Sequence, residues 1–176
     1  GTRAAFLTRL ILAATLGASY GIYGPAFELC LAEPQEPGTE IYKDSEQYEL
    51  KVWDWAASGG IRSAIQRINH IRRENPALQS NASLRFHAVD NSQLIAYSKT
   101  NGDVSNAILT VVNLDPHCSQ HGWVSLDMEC LGLTAGEAFR VDDLLNGTFY
   151  RWEGPRNYVE LGPTLTQAHV FRITRE

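Results

Sequence analysis

Residues 84–174 alternate between apolar and polar side chains in eight short segments, and this period of two constrains the fold more than any other feature. Glycine, asparagine, aspartate and proline separate the segments at close intervals, as in tight turns between antiparallel strands. The pattern predicts an antiparallel β-sandwich or barrel. The expected strands are residues 84–89, 94–99, 107–113, 122–127, 138–142, 148–152, 158–161 and 168–174.

The first eighty residues contain two helical patterns instead. Apolar residues recur at helical spacing over residues 2–16, and Gly17 is expected to end that helix. A second helix is predicted to begin at a Ser58 cap and to end before Pro76, because the residue before proline avoids helical geometry. The apolar face of this second helix is formed by Ile61, Ala64, Ile65, Ile68 and Ile71. Arg72 and Arg73 lie at its C-terminal end, where we expect solvated side chains.

A short apolar segment, residues 20–23, predicts a strand between the two helices. Gly24 and Pro25 follow at once, and the loop that continues to about residue 57 is rich in carboxylates, amides and aromatic side chains. A buried strand that leads into such a loop is how α/β barrels build their functional face. No parallel neighbour precedes this strand, and buried unpaired backbone groups are costly. We therefore expect the chain to be the last part of a larger fold.

Charge and hydropathy exclude several partners. The net charge of -5 argues against nucleic acid, since phosphate binding requires a basic surface. The apolar run at residues 10–18 imitates a secretory signal, but it is too short to span a bilayer, and a buried helix is the better interpretation. We therefore predict no contact with nucleic acid or membrane.

Cysteine usage favours a reducing compartment. The three cysteines, Cys30, Cys118 and Cys130, are odd in number and form no Cys-x-x-Cys pair, which indicates reduced thiols in a cytoplasm. His117 and His121 flank Cys118, yet structural zinc requires four ligands in firm spacing. A polar loop is the better interpretation, and no metal site is predicted.

The order helix, strand, long loop, helix and β domain resembles the end of the α-amylase superfamily, glycoside hydrolase family thirteen. Within it, the chain is similar to the bacterial α-1,4-glucan:maltose-1-phosphate maltosyltransferases, most specifically at residues 9–16, 20–29, 44–50 and 69–78. The resemblance implies an α+β fold. Residues 1–80 would supply the last helix, strand and helix of a (β/α)₈ barrel with the loop after its eighth strand. Residues 81–176 would form the antiparallel β-sandwich called domain C.

The resemblance also implies an activity for the parent enzyme. Such enzymes retain anomeric configuration: a carboxylate attacks maltose 1-phosphate, a carboxylic acid protonates the departing phosphate, and the maltosyl group passes to an α-1,4-glucan. The catalytic carboxylates follow barrel strands four, five and seven, and this sequence begins after those positions. We therefore expect no catalytic residue, no cofactor and no activity in this chain alone. The implied partners are donor, glucan, the missing N-terminal barrel and a second subunit of a cytoplasmic homodimer.

Donor binding is the role that the resemblance assigns to this segment. A Lys-Tyr pair in the loop after strand eight reaches the non-reducing end of the maltosyl unit, and the matching residues are Gln47 and Tyr48. Tyr48 can stack on a sugar and donate a hydrogen bond, whereas Gln47 lacks the usual charge. Trp53 and Trp55 are expected to be packing residues, since alternate aromatic side chains suit a half-buried extended segment.

Other functions stay open. The β domain could be a non-catalytic module that binds glucan or docks to another chain, and exposure of Trp123, Trp152 and Tyr158 on one face would favour it. The chain could also end a different enzyme of the superfamily, although the runs at residues 20–25 and 44–48 argue against that. A self-contained glycosidase is disfavoured, because the acids of a solvated loop lack the dry pocket that raises a carboxyl pKa.

Overall fold

The computed structural model describes residues 1–39, 41–43, 50–164 and 166–175. Its helices are α1 (Arg3–Leu16), α2 (Gly24–Glu28) and α3 (Arg62–Glu74), with 3₁₀ turns at Pro76–Gln79 and Glu129–Leu131. The strands are β1 (Arg85–Val89), β2 (Leu94–Thr100), β3 (Ala107–Asn113), β4 (Gln120–Ser125), β5 (Ala138–Asp143), β6 (Thr148–Glu153), β7 (Arg156–Leu161) and β8 (Ala168–Arg175). No helix in these ranges is both long and apolar enough to cross a bilayer.

The eight strands form one continuous antiparallel sheet, in the order β6-β5-β8-β3-β2-β1-β4-β7. Strand β1 changes partner along its length: residues 85–87 pair with β2, and Ala88 and Val89 pair with β4. This change folds β4 and β7 over the rest of the sheet, because a strand that switches partners makes a corner between two layers. All eight predicted strands are confirmed, with β4 and β7 each beginning two residues earlier than expected. The sandwich is therefore a single rolled sheet.

Two apolar layers hold the molecule together. The first lies inside the rolled sheet and contains residues such as Leu109, Phe139 and Phe171. The second lies between the outer face of β2, β3 and β8 and the helices, where Leu10 and Ile68 pack with residues of the sheet. Every residue of β3 is buried, because one of its faces meets each layer. The sequence predicts a domain boundary near residue 80. The helices and the sheet pack together in the second apolar layer, so this boundary stays a prediction.

Helix α1 is confirmed and begins at Arg3, one residue later than predicted. The hydroxyl oxygen of Thr2 accepts a hydrogen bond from the Ala5 N–H at 3.2 Å, which satisfies one of the free donors of the first turn. The helix ends at Gly17, as expected. A Cβ at Gly17 would lie 2.7 Å from the carbonyl oxygen of Ser19, so only glycine lets the chain turn this tightly.

The predicted strand at residues 20–23 is wrong for this chain. These residues belong to no β-ladder, and Gly24 and Pro25 open helix α2 instead of a loop. The physical reason is the missing neighbour, because a strand exists only when another strand satisfies its backbone groups. Pro25 suits the first turn of α2, where its missing N–H costs nothing.

Helix α3 begins later than the sequence indicates. Ser58 does not cap it: the cap position is Ile61, which makes no side-chain capping bond, and Gly59 intervenes with φ of +96°. Its apolar face is confirmed, with Ile61 and Ile68 fully buried. Arg73 is exposed as expected, but Arg72 is half-buried and faces the end of α1, so its predicted solvation is wrong.

Candidate functional site

The loop between α1 and α3 is held by contacts at its start. The Tyr20 hydroxyl donates to Asn69 Oδ1 of α3 at 2.5 Å, and the Arg72 guanidinium lies 5.2 Å from the Tyr20 ring centroid. Burial raises the pKa of Tyr20, although Arg72 and the bond to Asn69 oppose that effect. The phenol therefore stays neutral and tethers residues 20–23 to α3.

Helix α2 connects the loop to both long helices. Phe27 packs on Phe6 of α1 with ring centroids 5.3 Å apart. The carbonyl oxygen of Glu28 accepts from the Ile61 N–H at 2.8 Å, and its carboxylate pairs with Arg62 at 3.4 Å. These contacts bring the end of α2 to the start of α3. The loop segment between these two helices therefore begins and ends at neighbouring positions.

A small hairpin projects from the loop. Pro34 and Tyr42 form an isolated antiparallel bridge, and the turn that the sequence predicts at residues 33–38 is confirmed. The Lys43 ammonium lies 2.7 Å from Glu33 Oε1, and the Tyr42 ring stacks on Tyr23 with centroids 5.8 Å apart and planes 4° apart. The hairpin therefore fixes Tyr42 and Lys43 against the rest of the loop.

Hairpin and loop border an open cavity of about 540 Å³. Tyr42 and Trp53 supply aromatic rings, and Glu33, Lys43 and Asp54 supply charged groups of both signs. Flat rings with hydrogen-bonding groups around them suit a sugar, whose C–H face can stack while its hydroxyls bond. The cavity is lined by Ala26, Leu29, Leu31, Ala32, Glu33, Tyr42, Lys43, Leu50, Lys51, Val52, Trp53, Asp54 and Ala57.

The two predicted donor-binding residues, Gln47 and Tyr48, lie outside the described residues. The residues on either side of that segment, Lys43 and Leu50, both line the cavity. The assignment of Gln47 and Tyr48 stays a prediction.

Trp53 is the residue that sequence reasoning undervalued. It is half-buried and lines the cavity, whereas packing was its expected role. Trp55 is not packed inside either: it is exposed, with the Arg62 guanidinium 4.8 Å from its ring centroid. Alternation along an extended segment distinguishes two faces but does not tell which of them faces a cavity.

Three of the acids that the structure describes in this loop have partners of their own. Glu28 and Glu33 pair with Arg62 and Lys43, and Asp54 Oδ1 accepts from the Ala56 N–H at 3.0 Å. In the ranges described, no three His, Cys, Asp or Glu side chains converge as a metal site would require. The rings and polar groups that line the cavity can hold a ligand through stacking and hydrogen bonds.

Two further ionisable groups lie inside the β domain. Asp143 is buried and accepts a 2.7 Å hydrogen bond from His169. Burial raises the pKa of Asp143, but the bonds from His169 and Asn146 outweigh it and the net shift is downward. Lys99 is also buried, and burial together with the charge of Arg72 lowers its pKa to about 8. The pKa shifts of both groups make the stability of the fold depend on pH.

The fold is that of the β domain, with adjoining helices, found in α-amylases. The maltogenic α-amylase AmyB from Thermotoga neapolitana matches 99% of this chain and 37% of its own, with a TM-score of 0.71 and 15% identity. An α-amylase from Geobacillus thermoleovorans matches 97% of this chain and 34% of its own, with a TM-score of 0.59 and 17% identity. At these identities the likeness shows the fold alone.

The family model described as "GLGE, C-terminal" matches residues 86–173, and the chain belongs to this family. Among curated relatives, the α-1,4-glucan:maltose-1-phosphate maltosyltransferase of Chlorobaculum tepidum is 47% identical over 98% of this chain. That of Rhodospirillum rubrum is 47% identical over 99%. The chain spans only 27% and 25% of those two proteins. The resemblance seen in the sequence is confirmed.

Proposed function

We propose that this chain is the C-terminal part of an α-1,4-glucan:maltose-1-phosphate maltosyltransferase. The observation that carries the proposal is the identity of 40–49% to eight relatives with that name, over 97–99% of the chain. The proposed parent transfers maltosyl units from maltose 1-phosphate to α-1,4-glucans in bacterial glucan synthesis. Its catalytic carboxylates belong to the part of the relatives that this chain does not span.

In this proposal, residues 1–80 complete a (β/α)₈ barrel and residues 81–176 are its domain C. Helices α1 and α3 would be the last two barrel helices, and residues 20–23 would become the eighth strand once neighbouring strands pair with them. The exposed loop surface supports this, because Leu50 and Val52 are almost fully exposed. Apolar surface of this kind is usually covered by a partner, here the preceding barrel.

The loop cavity would then hold the donor. Gln47 and Tyr48 would contact the non-reducing end of the maltosyl unit, and Tyr42 and Trp53 supply neighbouring rings on which sugar can stack. With the two catalytic carboxyls about 5 Å apart elsewhere in the barrel, the parent would work by double displacement. This chain contributes binding and orientation, not the covalent step.

The proposal extends to a cytoplasmic homodimer. The thiols of Cys30, Cys118 and Cys130 are all unpaired, as suits a reducing compartment. The dimer rests on the resemblance alone.

The test is reconstitution. This chain and the N-terminal three-quarters of the Chlorobaculum tepidum relative are purified separately and mixed, and phosphate release from maltose 1-phosphate is measured with a maltohexaose acceptor. We expect no release by either part alone and release by the mixture. The relative's own C-terminal part serves as the positive control. Turnover by this chain alone, or an inactive mixture beside an active control, would contradict the proposal.

A further inference from the structure

The outer face of β4 and β7 has an unusual composition. Each strand alternates buried and exposed residues, so one face of the pair meets the core and the other meets solvent. A solvated antiparallel face is normally polar. Here its central cross-strand pair is Trp123 and Tyr158, which are 43% and 46% exposed.

Three rings form a row on this face, which we call the aromatic strip. It consists of His121, Trp123 and Tyr158. The Trp123 and Tyr158 centroids are 5.6 Å apart at 67°, and those of His121 and Tyr158 are 6.0 Å apart at 37°. Trp152, whose exposure on the same face would have favoured a binding module, is instead buried between Phe139 and Phe171. Trp123 and Tyr158 therefore meet that condition, and Trp152 does not.

The strip is held in place before any ligand arrives. The backbone N–H of Trp123 donates to Asp90 Oδ1 at 2.7 Å, and the Arg156 guanidinium lies 5.1 Å from the Trp123 ring centroid and so holds the ring itself. Arg156 also pairs with Asp90 Oδ2 at 3.3 Å, and the Trp123 N–H lowers the pKa of Asp90, which keeps that carboxylate ionised. A ring that is already fixed loses little conformational entropy when it binds.

The charges around the strip point to a neutral ligand. Cross-strand partners bring Glu160 beside His121 and Arg156 beside Ser125, and Arg156 already pairs with Asp90. The face therefore carries no excess of positive charge that would hold a phosphate or an anionic membrane. Rings flanked by donors and acceptors of both signs match a polyol, whose C–H face stacks while its hydroxyls form hydrogen bonds.

The position of the strip separates it from the loop cavity. The helices pack on the outer face of β2, β3 and β8, whereas β4 and β7 form the other layer of the rolled sheet. A chain that occupies the strip would therefore leave the cavity free. A polymer held at the strip would be anchored to the protein independently of any sugar at the cavity.

We propose that the aromatic strip is a surface site for a neutral glucan chain, which stacks along Trp123 and Tyr158. The choice of an α-1,4-glucan rests on the proposed function, whereas the polyol class rests on the strip itself. The site would retain the growing polymer near the enzyme.

The test is native gel electrophoresis of the full chain with glycogen in the gel. We expect glycogen to retard the wild type. Trp123→Ala and Tyr158→Ala should each weaken the affinity about five- to tenfold, since aromatic anchors dominate such contacts. Phe149→Ala is the matched control, because Phe149 is an exposed aromatic residue on β6 whose ring lies against Arg140 of β5. Thermal melting followed by circular dichroism checks that each variant is folded. Trp123→Phe keeps an aromatic ring and should retain part of the binding.

The other outcomes overturn the site or its ligand. Unretarded wild-type protein, or equal retardation of wild type and both strip variants, would overturn the site. Retardation by hydroxyethylcellulose, a β-1,4-glucan, but not by glycogen would overturn the α-glucan assignment. The readout needs no catalysis, so failure of the reconstitution assay and failure of this assay are distinguishable.

Discussion

The Arg72 guanidinium of α3 donates a hydrogen bond to the carbonyl oxygen of Ala18 at 2.6 Å, just beyond the end of α1. The same guanidinium also bonds the carbonyl oxygens of Ala14 and Gly17, the latter at 3.1 Å. The last carbonyls of a helix have no partner within the helix. Arg72 therefore satisfies the end of α1 and ties α1 to α3.

Replacing this residue should loosen the helical layer. We expect Arg72→Lys to lower the free energy of unfolding by about 1.5–3 kcal/mol, the scale of hydrogen bonds to a charged group, because an ammonium lacks the fork geometry. Urea unfolding followed by circular dichroism measures the change. Arg73→Lys, at the exposed neighbouring position, should stay within about 0.5 kcal/mol of the wild type. Equal losses in the two variants would show that the carbonyl contacts contribute little.

Lys99 should destabilise the fold at neutral pH. Its ammonium is buried and donates to Asn81 Oδ1 at 2.9 Å, with the positive charge of Arg72 nearby. We expect Lys99→Met to raise the free energy of unfolding at pH 7 by about 1–3 kcal/mol, since a buried cation is replaced by an apolar side chain. Arg73→Met, which removes an exposed cation, should leave that free energy almost unchanged.

The gain from Lys99→Met should also depend on pH. The pKa of Lys99 is about 8 in the folded chain and 10.5 ordinarily, so the unfolded chain holds the proton over that interval while the folded chain releases it. The wild type therefore becomes more stable as pH rises from about 8 to 10.5, and the advantage of the variant shrinks. If the stability gained by Lys99→Met were the same at every pH between 8 and 10.5, the inference that Lys99 is a buried charged amine would be wrong.

The Asp143–His169 contact should stabilise the fold above acidic pH. The pKa of Asp143 is below its ordinary value of 3.8, so its stabilisation is fully present above that value and is lost as pH falls through the folded pKa. At pH 7, Asp143→Asn should lower the free energy of unfolding by about 2–3 kcal/mol, because buried hydrogen bonds to a charge are lost. Urea unfolding of the variant and the wild type measures this loss of stability, which should be smaller at pH 3 than at pH 7.

Asp142→Asn is the matched control for that measurement. Asp142 pairs with Arg140 at 2.6 Å, and Arg140 is half exposed. An ion pair near the surface contributes about 0–1 kcal/mol, so this variant should lose less than Asp143→Asn. A larger loss at position 142 than at position 143 would refute the role given to the buried pair.

Gln47→Lys should strengthen donor binding in the reconstituted enzyme. Under the proposed function the lysine would supply a charged hydrogen bond to the sugar, and about 1 kcal/mol would correspond to a roughly fivefold lower KM for maltose 1-phosphate. Steady-state kinetics of the mixture measure this change. Gln35→Lys adds the same charge in the exposed hairpin and should leave KM as it is. A KM that falls equally in both variants would indicate general charge attraction instead of a contact at position 47.

Much of the fold could be predicted from periodicity. The eight strands and the apolar face of α3 follow from local patterns that burial on one side imposes on a sequence. The resemblance was likewise carried by short runs of residues. The prediction that Ser58 caps α3 is wrong because Gly59 takes a left-handed conformation and the helix begins at Arg62. The packing of Trp152 and the cavity position of Trp53 depend on which face the tertiary structure covers.

By itself, the amino-acid sequence determined the antiparallel β domain, the two long helices and the family, since each depends on patterns within short stretches. Only the tertiary structure decided that residues 20–23 form no strand, that Arg72 binds the end of α1, and that Trp123 and Tyr158 form an exposed strip. The physical reason is that hydrogen-bond partners and burial for these residues come from segments distant in the sequence. Local patterns indicate which secondary structures a segment can form, and contacts with other segments determine which of them it adopts.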